Sequence, residues 1–558
     1  MFSRFRCTSL WVVLILLLVV LIARLVDLTI WRRVFLQHQS QARILRTETI
    51  PATRGIIYDR LGVPLAISVT ASSAWIDPYL FHPTTAQLHQ LKRKSHQWSA
   101  HFWSKVARHK KHGFMYLKRA LSPVDADAIK ALQIPGVYFQ TEYRRYYPEG
   151  SQTAHVVGFT NIDGKGQEGM ELAYDHWLRG YPGGRQVLKD RQGHVITEVG
   201  ITRRPVTGKN IQLSVDHRIQ YLAHASLEDA VHHFHAQSGS AVVVDVATGE
   251  ILAMANAPTY NPNDRRYKQP GVVRNRAATD VFEPGSVIKP FAIALALQSG
   301  KYTPNTKIDT HSGWMEIGGY KIRDDLNYGT VTLTQLLQKS SNIAAAKIIL
   351  SLDPRRYCAL LRRVGFASRT QSGFPGEASG YISPQTTWVP SAVATLAYGY
   401  GLTTTVLQLA AGYGVLAAGG VMHPLALLKQ NPADVVSKRV LSQSVAKQVV
   451  TMLKAVIERG GTGTRARVPG YVVAGKTGTA YVANAHGYDH KNYTASFVGM
   501  APADHPKLVV AVVIQRPHGK HFGAVVAAPV FARIMSGALR IQGVAPTSTT
   551  AQARRHSA

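Results

Sequence analysis

Cysteine is almost missing from this chain: 558 residues contain two, Cys7 and Cys358. They stand on opposite sides of a long apolar run, so they are expected not to pair within one chain. Neither has metal-ligand spacing to another cysteine. The body beyond the run must then be stable without disulfides. Acidic residues are also scarce, 32 Asp and Glu against 64 Lys and Arg, for a formal charge of +32. An excess of that size favours an acidic partner, whether nucleic acid, anionic lipid or an anionic polymer, and says nothing about fold. The 46% hydrophobic and 17% charged content is that of a globular protein with a large core. The length is too great for one ordinary domain and suggests three or four units.

Leu10 to Ala23 is unbroken apolar sequence, and the pattern continues to Trp31. Leu10 to Trp31 approaches the roughly 20 residues that a membrane-spanning helix needs. Arg4 and Arg6 precede it, which places the N-terminus in the cytoplasm and exports everything beyond Trp31, although Arg32 and Arg33 weaken the asymmetry. A cleaved signal peptide is the competing reading. Ile22-Ala23-Arg24 is a poor cleavage site, so an uncleaved anchor is expected. Arg24 and Asp27 lie three apart on one helical face within the span. They either snorkel or pair with each other, or they form a polar contact with another membrane protein.

After the anchor, Phe35 to Thr49 reads as a polar, helix-compatible stalk. Arg54 to Gly62 opens a strand and turn, followed by a strand over Val63 to Trp75. Lys92 to Arg119 is dense in Lys, Arg and His and reads as a solvated basic helix, with contact to anionic headgroups or glycan phosphate as the alternative. Tyr143 to Gly184, rich in Gly and aromatics, reads as turns between short strands. Asn210 to Asp216 reads as a strand leading into a second exported domain, with a helix from His217 to about His235. His232, His233 and His235 close that helix; cationic His suits a helix C-terminus, and no metal is expected. Ser240 to Val246 and Glu250 to Ala255 read as a hairpin. Val472 to Val482, Thr494 to Met500 and Leu508 to Ile514 form a second β-rich block, and the residues from Ser286 to Arg459 between the blocks are mostly helical in pattern. The two blocks predict one antiparallel sheet built from both ends of the domain, with helices inserted in the middle. The Thr, Ser, Ala and Arg tail from Ala545 to Ala558 is expected to be disordered.

Three short polar motifs carry the chemistry: Ser286-Val287-Ile288-Lys289, Ser340-Ser341-Asn342 and Lys476-Thr477-Gly478-Thr479. Each is weak alone. In this order they match the S-x-x-K, S-x-N and K-T-G set of serine acyl-transferases that react with penicillin. Ser286 and Lys289 share a helical face, so the amine reaches the hydroxyl. A serine is a poor nucleophile until a base takes its proton, and lysine is that base only when desolvation or a nearby cation, such as Lys476, keeps it neutral. Ser340 can relay a proton, and the Asn342 amide can hold a peptide. Gly478 allows close approach of substrate backbone, Thr477 and Thr479 suit a carboxylate, and the backbone N–H groups of Ser286 and Thr479 are oxyanion-hole candidates. Gly470 to Thr477 also fits the phosphate-loop pattern G-x-x-x-x-G-K-[ST]. That loop needs a helix after Lys-Thr, whereas Gly478-Thr479-Ala480-Tyr481-Val482 reads as strand.

Together with RGIIYDRLG, RRYYPEG, HVVGFTNIDGKGQEGMEL, GGTGTRARVPGYVVAGKTGTA and ASFVGMAPADHPKLVVAVVIQRP, these motifs resemble the class B penicillin-binding proteins, and among them the division-specific peptidoglycan transpeptidases. The resemblance runs from the anchor to about Leu539. It implies an α+β fold class: a transmembrane helix, an elongated α/β pedestal, and a transpeptidase domain with an antiparallel sheet flanked by helices. The boundaries it suggests are 1–34 for the N-terminus and anchor, 35–209 for the pedestal, 210–544 for the transpeptidase and 545–558 for the tail. It implies Ser286 as nucleophile, Lys289 as general base, Ser340 and Asn342 as relay and substrate contact, and Lys476, Thr477 and Thr479 in carboxylate recognition. No cofactor is implied. The implied partners are peptidoglycan stem peptides, β-lactams, a membrane-embedded glycan polymerase and other division proteins, with no nucleic acid. The implied location is the bacterial inner membrane at the septum, single-pass, with the catalytic domain in the periplasm. An elongation-specific transpeptidase, a hydrolase such as a β-lactamase or carboxypeptidase, and a non-enzymatic scaffold or β-lactam sensor are the alternatives.

Overall fold

The structure, a computed structural model, describes residues 2–36, 45–93, 100–108, 113–189, 195–264, 269–383, 388–484 and 487–547. Phe2–Val26 is one helix, continued by a π-helical turn over Asp27–Trp31. Large apolar side chains from Leu10 to Leu25 are exposed all round, which suits a helix solvated by lipid. Within this segment Arg24 Nη1 and Arg32 Nε reach the two oxygens of Asp27, at 2.6 and 3.2 Å. Another helical stretch of sufficient length, Gly523–Ile541, is half buried within the protein, as a core helix is.

The chain forms two compact units. The first gathers the N-terminal stretch through Arg54 with Arg179–Gly208. Here Leu45–Ile50, Gly183–Lys189 and Val195–Arg203 make an antiparallel sheet with Gly183–Lys189 in the middle. This corrects the helix-compatible stalk at its far end. The alternation Leu45-Arg46-Thr47-Glu48-Thr49-Ile50, with its β-branched residues, is satisfied by pairing to a strand some 140 positions away. Residues 37–44 of that stretch and 548–558 of the tail lie outside the described residues.

The second unit comprises Gly55–Leu178 and the chain from Lys209 onward. Pro64–Ile76, the long strand of its pedestal part, pairs with Met115–Leu121 and Val137–Tyr146. The basic stretch Lys92 to Arg119 is not one solvated helix. It spans the end of helix Thr85–Arg93, the whole of helix Ala100–Arg108 and most of strand Met115–Leu121; residues 94–99 and 109–112 lie outside the described residues. Leu91, Val106 and Leu117 are buried with Phe81 and Ile129 in a small separate core, so the charges line the outside of an amphipathic layer.

The glycine-rich segment beyond Tyr146 holds short helices, Ala154–Val157, Gly169–Ala173 and Asp175–Leu178, instead of the expected short strands. Its glycines serve close packing: a Cβ on Gly158 (φ +76°) would lie 1.8 Å from Glu168 O, and one on Gly166 2.0 Å from Glu171 O. This packing brings together two motifs distant in sequence. Arg145 of RRYYPEG donates from Nε to Glu171 Oε1 of GQEGMEL at 2.6 Å, with side chains 3% and 0% exposed. Thr160 N donates to Tyr147 Oη at 2.9 Å.

The RGIIYDRLG segment joins pedestal to catalytic part. Ile57–Tyr58 runs parallel to Ile211–Gln212, and Asp59, fully buried, accepts from Leu61 N, Val63 N and His217 Nδ1. Helix α1 (His217–His233) starts at that contact. The catalytic sheet comprises β1 (Ser238–Asp245), β2 (Ile251–Ala257), β3 (Ala474–Asn484), β4 (Gly487–Ala501) and β5 (Leu508–Gln515), in the order β2-β1-β5-β4-β3, antiparallel throughout. This is the predicted sheet from both ends of the domain. Ser238 to Val244 are all buried, so both faces are covered: α1 and α5 (Ala528–Ile541) pack together on the sheet, and α4 (Val406–Ala417) packs on it as well. Between the blocks, the first residues of the buried helix α2 (Lys289–Gln298) and of α3 (Asn342–Leu350) are the last residues of the first two motifs.

Neutralising Glu171 removes the counter-charge 2.6 Å from the buried Arg145 guanidinium. Glu171→Gln is expected to lower the stability of the unit by about 3–5 kcal/mol, read as a fall in the thermal midpoint; an unchanged midpoint would discount this ion pair as a structural tie.

Candidate active site

Pro284-Gly285 turns the chain into a 3₁₀ turn, Gly285–Ile288, that runs directly into α2. Gly285 has φ +58°, and its added Cβ would lie 3.1 Å from Ala480 Cβ, so this turn rests closely against β3. Tyr413 Oη on α4 donates to Val287 O at 2.8 Å and pins the turn from behind. Ser286 is partly exposed at the cleft floor, while Lys289, one turn on, is 0% exposed.

A fully buried lysine needs acceptors. Lys289 Nζ donates to Ser340 O, to Asn342 Oδ1 at 2.7 Å and to Ser340 Oγ at 3.2 Å. Lys476 Nζ, also 0% exposed, donates to Ser340 Oγ at 2.9 Å and to Thr477 O at 3.1 Å. One hydroxyl therefore stands between two amines. Ser340 achieves this by ending its helix, Leu333–Lys339, in the left-handed region (φ +62°). Ser341 then caps α3, accepting from Ala344 N at 3.0 Å. The next layer is Asp324: it accepts from Ser341 Oγ at 2.6 Å and from the N–H groups of Asn342 and Ile343.

Burial brings Lys289 down to about 7, against the opposing pull of Asp324 and Asp325. Burial, and then repulsion from Lys289, hold Lys476 well below the usual lysine range. Desolvation is the first cause for both amines, and the repulsion expected from a second nearby cation acts between them. Two amines on one hydroxyl in a dry site cannot both stay charged.

On β3, Lys476, Thr477 and Thr479 sit opposite Val498, Phe497 and Ala495 of β4, at the sheet edge. Lys476 lies inside a strand that continues to Asn484, so no helix follows it as a phosphate loop requires. Thr477 Oγ1 is 2.9 Å from Thr462 Oγ1, and Thr479 Oγ1 accepts from Gly523 N at 3.0 Å, leaving its own proton for a ligand. Gly478 also serves close packing within the protein. Its Cβ would lie 2.3 Å from Ser496 Oγ and 2.9 Å from Val287 Cγ1, so the glycine seats the nucleophile turn against the sheet.

Ser286, Ser340, Asn342, Thr477 and Thr479 all line one cavity of about 660 Å³. Arg24 and Asp27 lie in the anchor, outside this unit. Missed in the sequence are Asp324 and Asp325 and the aromatic wall of Tyr398, Tyr400, Tyr481, Tyr493, His521 and Phe522. The only available signal was the Arg323-Asp324-Asp325 run after a short hairpin, which nothing in sequence ties to α3. Among the described residues Asp59, Asp216 and His217 bring ligand atoms within 4.8 Å of one another. Their oxygens are already committed, those of Asp216 to Arg218 N, Nε and Nη2, so the group reads as a structural joint.

Comparison with known proteins follows this geometry. Residues 239–536 match the penicillin binding protein transpeptidase domain, and residues 49–213 match the penicillin-binding protein dimerisation domain. The chain is 42% identical over 524 residues to PbpC, a probable peptidoglycan D,D-transpeptidase of Pseudomonas aeruginosa, covering 94% of this chain and 93% of that one. It is 39% identical over 559 residues to the peptidoglycan D,D-transpeptidase FtsI of Escherichia coli K12, covering 98% and 94%. Penicillin-binding protein 3 of Mycobacterium tuberculosis, solved with ampicillin, is similar with a TM-score of 0.70 at 28% identity, over 90% of this chain and 98% of that one. The transpeptidase domain of Burkholderia pseudomallei penicillin-binding protein 3 is 43% identical with a TM-score of 0.56, over 60% and 98%. With the three motifs gathered in one cleft and both domain models matched in order, the chain belongs to the class B penicillin-binding proteins, which join a dimerisation domain to a transpeptidase domain.

Proposed function

We propose that this protein cross-links peptidoglycan stem peptides at the division septum through an acyl-enzyme on Ser286. It is a serine peptidoglycan D,D-transpeptidase and a β-lactam target, anchored by a single N-terminal helix. The observation that carries the mechanism is the Ser340 hydroxyl held between Lys289 and Lys476, in the cavity that Ser286 also lines. Neutral Lys289 takes the Ser286 proton as Oγ attacks the carbonyl of the penultimate D-Ala of a donor peptide. The backbone N–H groups of Ser286 and Thr479 receive the oxyanion. The C–N bond to the terminal D-Ala then breaks, and the proton returns to the leaving amine through Ser340. Thr477, Thr479 and Lys476 hold the terminal carboxylate, and Asn342 holds the peptide backbone. An acceptor amine next attacks the ester carbonyl, Ser286 regains its proton, and a new peptide bond remains. A β-lactam opens its ring on Ser286 but releases no leaving group, so the ester persists.

The division of labour follows the anchor through residue 34, the pedestal over 35–209 and the transpeptidase over 210–544. The two domains matched are a transpeptidase and a dimerisation domain, and a membrane-embedded glycan polymerase is the partner we assign to the polar face of the anchor. Arg24 and Asp27 pair within the chain, and the Arg24 side chain stays 58% exposed, available to a neighbouring helix.

Ser286→Ala is expected to abolish covalent labelling by a fluorescent penicillin while leaving the fold intact, because one partly exposed hydroxyl contributes little to stability. Peptide mapping that finds the adduct elsewhere would refute the nucleophile. The wild-type acylation rate should rise as pH passes upward through about 7, where Lys289 loses its proton. Lys289→Ala should slow acylation roughly 10²–10⁴-fold and flatten that rise; a rate already at its plateau at pH 5 would exclude Lys289 as base. Arg24→Leu or Asp27→Leu should leave penicillin acylation unchanged and weaken co-purification with the polymerase, an interhelical polar contact being worth roughly 1 kcal/mol. A complex undiminished in both variants would remove the anchor from partner choice.

A further inference from the structure

A second cavity, of about 700 Å³, shares no residue with the catalytic cleft. It is lined from both matched domains, by Tyr174, Trp177 and residues 210–212 on the dimerisation side and by residues 428–432 on the transpeptidase side. Its volume falls in the range of small-ligand sites, roughly 300–1,000 Å³.

Trp177 forms the open wall. Its indole, on the short helix Asp175–Leu178, stays 49% exposed although the residue is fixed in place. Lys209 N donates to Trp177 O at 3.0 Å, and Lys209 Nζ lies 4.3 Å from the ring centroid. A large aromatic that is held yet uncovered is preorganised to receive a flat apolar face.

The polar part of the lining is amide. Asn210 Oδ1 accepts from Ile56 N at 2.8 Å, which leaves its NH₂ as a donor. Asn431 Oδ1 accepts from Ala433 N at 3.3 Å, leaving the same group. Gln212 is the complement: Nε2 donates to Arg60 O at 3.1 Å, and Oε1 remains an acceptor. Gln430 Oε1 is buried without a hydrogen-bond partner among the described residues. A buried amide oxygen in that state calls for a donor from outside the chain.

Ionic recognition has no place in this lining. Lys429 is its one charged residue among the described residues, and that amine is spent on Arg60 O at 3.1 Å. In a chain of formal charge +32, such a cavity selects neither an anion nor a cation. An aromatic plate with amide donors and acceptors matches a neutral ring that has a C–H face and a rim of hydroxyl and acetamido groups. The sugar backbone of peptidoglycan, a chain of N-acetylated amino sugars, carries that chemistry, whereas its stem peptides carry charge. We propose that this cavity is a glycan subsite, in which Trp177 stacks on an amino sugar of peptidoglycan and the amides pair with its hydroxyl and acetamido groups. Holding the sugar backbone raises the effective concentration of the stem peptides attached to it. The subsite goes beyond the peptide chemistry proposed for Ser286 and does not require it.

The test uses the full-length protein in a sugar-free detergent, so that no headgroup competes, with chitotetraose as the probe. Binding is followed by titration calorimetry and saturation-transfer NMR. The wild type is expected to bind with a Kd below about 10 mM, equally well before and after Ser286 is blocked with penicillin. Cellotetraose, which lacks the acetamido groups, should bind roughly 5–10-fold more weakly. Trp177→Ala should weaken chitotetraose binding roughly tenfold, and Trp177→Phe should keep part of the affinity. Both variants should label with fluorescent penicillin as the wild type does. Four outcomes overturn the subsite: no wild-type binding up to about 10 mM, loss of binding on penicillin acylation, equal affinity for the two tetramers, or unchanged affinity in Trp177→Ala. All four leave penicillin labelling of Ser286, and the acyl-enzyme reading with it, intact. Should Trp177→Ala lose penicillin labelling, the exposed Gln212 decides. A roughly three- to fivefold loss of affinity in Gln212→Ala supports the subsite, and no change overturns it. Chitobiose then separates the two sources of such sugars. A tetramer bound several-fold more tightly assigns the cavity to a polymerised strand, and equal affinities assign it to the disaccharide of a lipid-linked precursor.

Discussion

The site depends on one costly arrangement, two lysine amines buried against a single serine hydroxyl. Lys289 and Lys476 are both fully buried, and neither is stable there as an unpaired cation. The surroundings answer that demand. Ser340 takes a left-handed backbone to present both its carbonyl and its hydroxyl, and Asn342 turns its amide oxygen to Lys289. Asp324 holds Ser341 and the first N–H groups of α3 so that neither acceptor drifts. What burial costs in stability it returns in chemistry, because an amine at about 7 is a base at neutral pH and an ordinary lysine is not.

The same constraint explains the glycines of the site. Gly478 and Gly285 lie where β3 meets the turn carrying Ser286, and each would bring a Cβ within about 3 Å of the opposing element. The nucleophile, the relay serine and the second lysine come from three distant parts of the chain. They converge only because the sheet edge and the start of α2 approach this closely. Farther out, Asp59 and Arg145 do similar work for the pedestal, tying sequence blocks that have no chemistry of their own into the frame under the catalytic sheet.

The cationic excess takes on a local meaning as well. The cavity beyond Tyr481 gathers Arg274, Arg276 and Arg516 with Asp280 and Glu283, and Asp280 pairs with Arg274 at 2.9 Å.

Much was legible in the chain before any coordinates. The apolar period of the anchor, the two β-rich blocks and the spacing of Ser286, Lys289, Ser340, Asn342, Lys476 and Thr479 are local signals, since they depend on residue type and short-range geometry. They determined the membrane segment, the antiparallel sheet and the class of chemistry. Other features were set by contacts across a hundred or more positions, and sequence carried no trace of them. Leu45–Ile50 is a strand because its partner lies at Gly183–Lys189, and the glycine-rich segment is helical because Gly158 and Gly166 admit a close backbone. Asp324 reaches α3 from a separate hairpin, and Arg516 joins Arg274 only through the order of the sheet. Local pattern settles which elements form and which reactive groups are present. Their protonation, their neighbours and their reach toward substrate depend on desolvation and packing, which exist only once the chain has folded.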